Sequence, residues 1–217
     1  MTEYLKDYWN LRLAEVKNVL EVNNFEVHLA DNKTEAKDIV LNTIVPAANP
    51  KSISFGGSVT VTDSGLYDAL KNNDAFEILD TYDKKISREE MVERRRQALL
   101  VDLFITGTNA VTDNGKLVNL DMIGNRVGAL TFGPKHVVIL AGRNKLVAEV
   151  DDALMRIKNY AAPANTMRLK KKNPCLKSGY CEECQSKERI CNTWTIHDKS
   201  FPKGRIKIVL INEDLGL

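Results

Sequence analysis

Hydrophobic residues follow two alternating periods along the chain, one typical of helices and one typical of strands. Apolar positions at helical spacing predict amphipathic helices near the N-terminus and after residues 33, 63, 87 and 145. Short apolar or alternating runs between them predict strands at residues 25–29, 51–55, 76–79, 101–106, 116–120, 136–141 and 205–211. Strands that alternate with helices of this length predict an α/β fold with a mainly parallel, doubly wound sheet. In such a sheet Ile105, Val137 and Ile139 should be fully buried.

Local signals predict where several of these elements begin and end. Thr34 is a candidate cap for the second helix, and Ser87 with Glu90 three residues later reads as a capping box. The tripeptide Asp113-Asn114-Gly115 predicts a hairpin turn, which adds a local antiparallel piece to the sheet. Pro163 is expected to end the last helix before the cysteine-containing region.

The loops between residues 105 and 145 are rich in Gly, Asn, Thr and Asp, and they hold more polar groups than a chain reversal needs. They follow predicted strands, and ligands in α/β sheets usually bind beyond the carboxyl ends of the strands. We therefore expect the functional site there, with the segment from Asp121 to Arg126 read as a loop of that site.

Composition excludes some classes of protein. The chain has 217 residues and a net charge of +2, which gives no electrostatic reason to expect nucleic-acid binding. No apolar run approaches 18 residues, so membrane insertion is not expected, and the first ten residues lack the features of a signal peptide. A cytoplasmic protein is the expectation, and a homodimer is the default assembly.

All four cysteines of the chain fall between residues 175 and 191, at the spacing C-x5-C-x2-C-x6-C. Cys175, Cys181, Cys184 and Cys191 could ligate iron–sulfur or zinc, because both suit four thiolates. Only one pair has the tight spacing of a zinc knuckle, and mixed spacings favour a 4Fe-4S cluster. Zinc and metal-free thiols or disulfides remain alternatives. We expect an α/β domain formed by residues 1–165 and 203–217, and a cysteine-rich metal segment at 166–202.

Four stretches together resemble the lactate-utilisation (LUD) domain family, specifically members with a C-terminal iron–sulfur segment. They are SFGGSVTVTDSGL (54–66), ITGTNAVTDNGKLVNLD (105–121), GNRVGALTFGPKHVVILAGRNKLV (124–147) and NPCLKSGYCEECQSKERICN (173–192). The resemblance implies a fold similar to CoA-transferases and ribose-5-phosphate isomerase. It also implies a role in oxidising lactate or a related 2-hydroxy acid, beside redox partner subunits. It implies no established catalytic mechanism.

Small and polar residues mark a candidate site for an anionic organic acid or a phosphorylated ligand. Gly56, Gly57, Ser58 and Thr60 lie between a strand and a helix, where backbone N–H groups can approach an anion. The spacing of these residues is equally consistent with a plain tight turn. The family resemblance favours the anion site. The sequence lacks the Gly-Lys-Ser/Thr of a Walker loop.

The central loops add further candidates. Arg126 has the planar fork that matches a carboxylate, and its alternative is a salt bridge with Asp121. Asn109 and Asn125 are candidates to orient a hydroxyl or carbonyl group, and Lys145 is a candidate phosphate contact or a solvent-facing residue. The remaining substrate-site candidates lie at a strand end and are Thr106 and Gly107.

No glutamate occurs between residues 107 and 145, so the nucleophile of the related CoA-transferases is missing. The leading interpretation is an oxidoreductase, or a subunit of one, with an anion-binding LUD domain and a 4Fe-4S cluster. The alternatives are a non-catalytic electron-transfer or assembly subunit, and a sugar-phosphate enzyme with a structural zinc.

Overall fold

The predicted alternation of helices and strands is present in the computed structural model, which describes residues 2–217. The helices are α1 Glu3–Val22, α2 Lys33–Ile39, α3 Val45–Ala48, α4 Val59–Asp63, α5 Leu66–Lys71, α6 Arg88–Gln97, α7 Asn125–Thr131, α8 Val150–Arg156, α9 Ala162–Arg168 and α10 Cys175–Ser178. The strands are β1 Glu26–Ala30, β2 Ser52–Phe55, β3 Glu77–Leu79, β4 Leu103–Gly107, β5 Ala110–Thr112, β6 Leu117–Asp121, β7 His136–Gly142, β8 Leu146–Val147, β9 Thr193–His197 and β10 Ile206–Ile211.

The main sheet contains six strands in the order β1-β10-β7-β4-β2-β3, and every neighbouring pair is parallel. Its central strands are apolar along their length because helices cover both faces. The α/β fold with a parallel, doubly wound sheet is therefore confirmed. No helix within residues 2–217 has the length and apolar character needed to cross a lipid bilayer.

Successive residues of each central strand enter two different cores. Val137 and Ile139 of β7 pack in the cluster that includes the inner face of α1, whereas Val138 and Leu140 pack with α2, α4 and α5 on the opposite face. Ile105, Val137 and Ile139 are all fully buried, as the sequence predicts. The two-residue period of a strand explains this division.

A second, four-stranded sheet has the order β8-β5-β6-β9. The predicted hairpin is its centre, since β5 and β6 are antiparallel and joined by the turn at Asp113–Gly115. The edge strand β9 pairs antiparallel with β6 and lies inside the segment 166–202, where the sequence analysis predicts no strand. The last part of the cysteine-rich segment is thus built into this sheet. Helix α7 contacts β6 and β9, and α8 contacts β5 and β6.

Four predicted boundaries are wrong. The helix expected after residue 145 begins at Val150, because Leu146 and Val147 form strand β8 and Glu149 caps the helix. Asn32, not Thr34, caps α2, and its side chain accepts from the N–H groups of residues 34 and 35. The helix expected near residue 63 begins at Val59, because Ser58 caps it. Pro163 lies at the start of α9 and does not end the helical region, since proline is tolerated where the backbone N–H needs no partner. A π-helical turn, Ile157–Ala161, joins α8 to α9.

The segment read as a loop, Asp121–Arg126, also differs from expectation, because its last two residues begin α7. At Ser87 the predicted cap is half confirmed. The Ser87 hydroxyl accepts from the Glu90 N–H at 3.1 Å, whereas the Glu90 carboxylate pairs with Arg94.

Candidate functional site

Two polar loops meet at the carboxyl ends of β2 and β4. A Cβ added to Gly56 would lie 2.7 Å from Thr106 Oγ1, and a Cβ added to Gly107 would lie 2.6 Å from Ser58 Oγ. Both glycines therefore permit a backbone approach that a side chain would block. The structure brings together four of the residues that the sequence marks as candidates.

Tyr82 holds the loop that follows β2, although the sequence gives no signal for it. Its hydroxyl donates to Gly56 O at 2.8 Å and accepts from the Ser58 N–H at 3.0 Å. Burial raises the pKa of Tyr82, so the hydroxyl stays protonated and can serve in both bonds. The Ser58 side chain in turn accepts from the Val61 N–H. Gly57 is the exposed residue of this loop, and a Cβ there would meet open space.

Arg126 is the centre of a buried hydrogen-bond network. Its Nη1 donates to Gly107 O at 3.1 Å and to Asn119 Oδ1 at 2.6 Å. Its Nη2 donates to Asn109 Oδ1 at 2.8 Å and to Leu120 O at 2.9 Å. The guanidinium therefore ties the end of β4 to β6, and its two terminal nitrogens are occupied by protein acceptors.

Asp121 partners Arg126 at the start of α7. Its carboxylate lies 3.7 Å from Arg126 Nε and accepts from the N–H groups of Arg126 and Val127. Burial lowers the pKa of Arg126, and the Asp121 charge opposes that shift. The salt bridge that the sequence offered as an alternative is thus present.

Asn119 lies fully buried in β6 and was not among the predicted site residues. Its Oδ1 accepts from Arg126, from the Thr108 hydroxyl at 3.1 Å and from the Asn109 N–H at 3.2 Å. Its Nδ2 is buried and has no hydrogen-bond partner within residues 2–217. A polar residue between apolar neighbours in a buried strand was the available signal.

Lys145 is buried at the turn after β7, not on the surface. Its Nζ donates to Thr60 Oγ1 at 2.9 Å and to Thr108 O at 3.0 Å. Burial, and then the charges of Arg156 and Arg126, lower the pKa of Lys145 to about 7. The side chain thus bridges the loop after β2 and the loop after β4.

Arg156 from α8 completes a group of three basic side chains, and the sequence analysis did not select it. It donates to Asn144 O at 3.0 Å and to Asn109 O at 2.8 Å, and its guanidinium lies over the Tyr160 ring. Three basic side chains, Lys145, Arg126 and Arg156, thus lie near one another. Among residues 2–217, Asp121 is the only acidic residue that forms an ion pair with one of them, Arg126. Even with Lys145 neutral, two arginines face one carboxylate, so the site is positively charged.

Asn125 stands apart from this group. It is the first residue of α7, and within residues 2–217 no hydrogen bond joins its side chain to the Arg126 network. A small cavity beside Asn109 reaches Ile190 in the cysteine-rich segment. It is lined by Asn109, Leu120, Ile157, Ala161, Asn165 and Ile190.

The four cysteines are free thiols with intermediate exposure. Arg189 organises part of their segment by donating to Cys184 O at 2.9 Å and to Cys191 O at 2.8 Å. Burial raises the pKa of the Cys191 thiol, Arg189 lowers it, and the neighbouring Cys181 and Cys184 raise it. Cys181 and Cys184 therefore lie within electrostatic reach of Cys191.

The thiols do not converge as a metal site in this structure, since residues 2–217 contain no group of three or more His, Cys, Asp or Glu side chains positioned to hold an ion. The donor set nevertheless fits an iron–sulfur cluster or zinc in its chemistry, because it offers four thiols in one short segment.

Comparison with known proteins identifies one family. The family model for the LUD domain matches residues 13–211. The crystal structure of a DUF162 family protein from Deinococcus radiodurans at 1.70 Å resolution is similar to this chain with a TM-score of 0.48 and 12% identity, and the alignment covers 93% of this chain and 96% of that one. A search of curated proteins returned no match.

Proposed function

The chain belongs to the LUD domain family, and we propose that it is a redox protein of 2-hydroxy-acid utilisation that binds a small anionic substrate and one 4Fe-4S cluster. Family membership supports a role of the lactate-utilisation type in general. The main support for an anionic substrate is an imbalance at the loops beyond β4 and β7, where three basic side chains lie near one paired carboxylate.

The excess positive charge favours an organic acid or a phosphorylated ligand, because an anion offsets the repulsion among these basic side chains. Gly56, Gly57, Ser58 and Thr60 border the proposed site on one side, and Thr106 and Gly107 border it on another. Lys145 faces it, and the unpartnered Asn119 Nδ2 is a donor that a ligand oxygen can satisfy. Arg126 contributes charge and holds Asn109 in place, and Asn125 is the candidate on the α7 side.

Cys175, Cys181, Cys184 and Cys191 are the proposed cluster ligands. A bound cluster would exchange single electrons with a redox partner subunit. Arg189 lowers the pKa of Cys191 and so opposes the larger effect of burial, which raises it; the thiolate is the form that ligates a metal. Cys191 also packs against the apolar cluster of α8 and β6, which anchors one end of the segment.

Anaerobic purification with iron, sulfide and zinc analysis tests the cluster. About four irons and four sulfides per chain, with broad visible absorption, are the expected result. The Cys184→Ser variant should lose most of the iron, and the Ser186→Ala variant, altered in the same segment, should retain it. One zinc per chain without visible absorption would support the structural alternative.

Titration with lactate, pyruvate and inorganic phosphate, followed by thermal shift and calorimetry, tests the anion site. A ligand at 100 times its dissociation constant should stabilise the protein by about 2.7 kcal/mol. Lys145→Met should weaken this binding, and Lys170→Met, in the exposed turn after α9, should not.

One observation favours a second function, that of a non-catalytic electron-transfer or assembly subunit. Both terminal nitrogens of Arg126 are bonded to protein acceptors, so the residue best suited to clamp a carboxylate is already occupied. Iron and sulfide at the expected ratio together with no thermal shift from any organic acid would support this function over the first.

A further inference from the structure

Lys145 is a buried amine without a carboxylate partner. The contrast with Lys207, the other buried lysine, makes this clear. Lys207 Nζ lies 2.5 Å from Glu26 Oε2, whereas Lys145 Nζ contacts a hydroxyl and a backbone carbonyl, and its charged neighbours are arginines. A charged amine is costly to bury when it has no counter-ion. The surroundings of Lys145 therefore favour its neutral form.

The hydrogen bonds of Lys145 fit the neutral amine. A neutral amine has two N–H groups and a lone pair, and Nζ has two acceptors, Thr60 Oγ1 and Thr108 O. The Thr60 hydroxyl donates its own proton to Leu215 O at 3.3 Å, so its oxygen is free to accept from Lys145. A third N–H, which an ammonium would carry, has no acceptor within residues 2–217. The neutral amine keeps a lone pair available for a reaction.

We propose that Lys145 is a nucleophile that forms a reversible imine with the carbonyl carbon of a small 2-oxo acid. This inference rests on the anionic site of the proposed function and adds a substrate class and a chemical role. Primary amines held neutral by burial and by cationic neighbours are suited to imine formation. Arg156 and Arg126 supply the positive charge that attracts the carboxylate of the acid.

The step is balanced without an oxidant. The Nζ lone pair attacks the carbonyl carbon, and the carbon–oxygen double bond becomes a single bond. A proton moves from nitrogen to that oxygen to give a carbinolamine. The carbinolamine then loses the hydroxyl group and the second nitrogen proton as one water molecule, which leaves a carbon–nitrogen double bond. Addition of water reverses the step and returns the acid and the free lysine.

Residues 213–217, here called the strap, lie across Lys145. Leu215 N donates to Asn144 Oδ1 at 3.0 Å, and Asn144 Nδ2 donates to Gly216 O at 3.2 Å. A Cβ at Gly216 would collide with Thr60 Oγ1 and lie 3.4 Å from Lys145 Nζ, and the φ of +69° there also favours glycine. The strap must move aside for an acid to reach the amine. Gly216→Ala should displace it.

Reductive trapping tests the imine. The intact protein is incubated with pyruvate, treated with borohydride and digested, and each lysine is examined by mass spectrometry. Ordinary lysines, with a pKa near 10.4, are about one part in a thousand neutral near pH 7.4. We expect adduct at Lys145 to exceed that at any other lysine by at least about tenfold at this pH, since an amine with a pKa of about 7 is mostly neutral there.

Lys207 serves as the internal control and should carry no adduct. Trapping at Lys145 should level off above about pH 8, whereas trapping at exposed lysines should keep rising to about pH 10. Lys145→Arg and Lys145→Met should abolish the preferred adduct, and thermal unfolding checks that each variant is folded. Gly216→Ala should increase the trapping rate at Lys145 severalfold.

The outcomes separate this inference from the proposed function. Preferred adduct at Lys145 supports the imine. Stabilisation of the protein by pyruvate with no preferred adduct in the wild type or in Gly216→Ala overturns the imine and leaves the anion site. Absence of a preferred adduct, together with no stabilisation of either protein by pyruvate, lactate or inorganic phosphate, overturns the imine and the anion site together.

Discussion

Replacing Arg126 by Met should destabilise the protein by about 3–5 kcal/mol, because the guanidinium serves more acceptors than any substitute can. After this change the side-chain oxygens of Asn119 and Asn109 still accept hydrogen bonds from Thr108 and from backbone N–H groups. The carbonyls of Gly107 and Leu120 lose the Arg126 donors, at about 1–3 kcal/mol each. Loss of the partner of Asp121 adds to this sum.

The lysine variant separates charge from geometry. Arg126→Lys keeps a positive charge near Asp121, but one ammonium cannot replace a planar fork that serves four acceptors. We expect it to lose about 2 kcal/mol. A domain of this length loses about 2–4 °C in Tm for each kcal/mol, so Arg126→Met should melt about 10 °C lower.

Urea unfolding followed by tryptophan fluorescence and circular dichroism measures these changes. Arg96→Met is the matched control, because Arg96 is exposed and its pair with Glu93 lies on the surface of α6. That change should cost less than about 1 kcal/mol. If Arg126→Met costs no more than the control while acid binding is lost, Arg126 acts as a ligand clamp and the structural reasoning fails.

Three further predictions concern other parts of the fold. Tyr82→Phe removes the hydroxyl that bridges the loop after β2 and should cost about 1–3 kcal/mol in urea unfolding, and no change relative to the exposed Tyr4→Phe would contradict this. Gly133→Ala should cost more than about 2 kcal/mol, because φ is +138° and a Cβ would lie 2.7 Å from a backbone oxygen. Gly57→Ala, which meets open space, should be nearly neutral, and equal losses in the two variants would be inconsistent with the geometry. Hydrogen bonding to Lys135 lowers the pKa of Asp102 from 3.8 to about 2. The contribution of the Asp102 carboxylate to stability is therefore present above about pH 4 and is lost as the pH falls toward 2. Asp102→Asn should therefore flatten the decline in the free energy of unfolding between those values, and an unchanged slope would refute this.

Elements with a strong local period were predictable. The apolar runs of β4 and β7 and the turn at Asp113–Gly115 are encoded in contiguous residues, so the parallel sheet and its hairpin follow from the sequence. Helix α7 was missed because seven residues with two β-branched members give little helical signal. Asp121 caps this helix from outside it, through the N–H groups of Arg126 and Val127. Strand β9 was missed because only two of its five residues, Trp194 and Ile196, are apolar and the strand is only partly buried.

The proximity of the loops after β2 and β4 was predictable, but their internal bonding was not. Gly56, Ser58 and Gly107 follow strands, and parallel strands bring their carboxyl ends to one edge. Tyr82 and Arg156 were missed because their roles depend on partners distant in sequence, whereas Asn119 had one local signal, its place between apolar residues of β6. The Tyr82 hydroxyl, for example, contacts a residue 26 positions away. No local pattern indicates such a contact.

The sequence by itself determined the fold class, the family and the four-cysteine segment, because each depends on residue type and spacing along the chain. Only the tertiary structure decided the state of Arg126 and Lys145. The sequence placed both on polar loops. Folding surrounds Arg126 with protein acceptors and buries Lys145 beside two arginines without a carboxylate. Desolvation and counter-ions set the charge and the availability of a side chain, and both depend on neighbours that only the folded chain assembles.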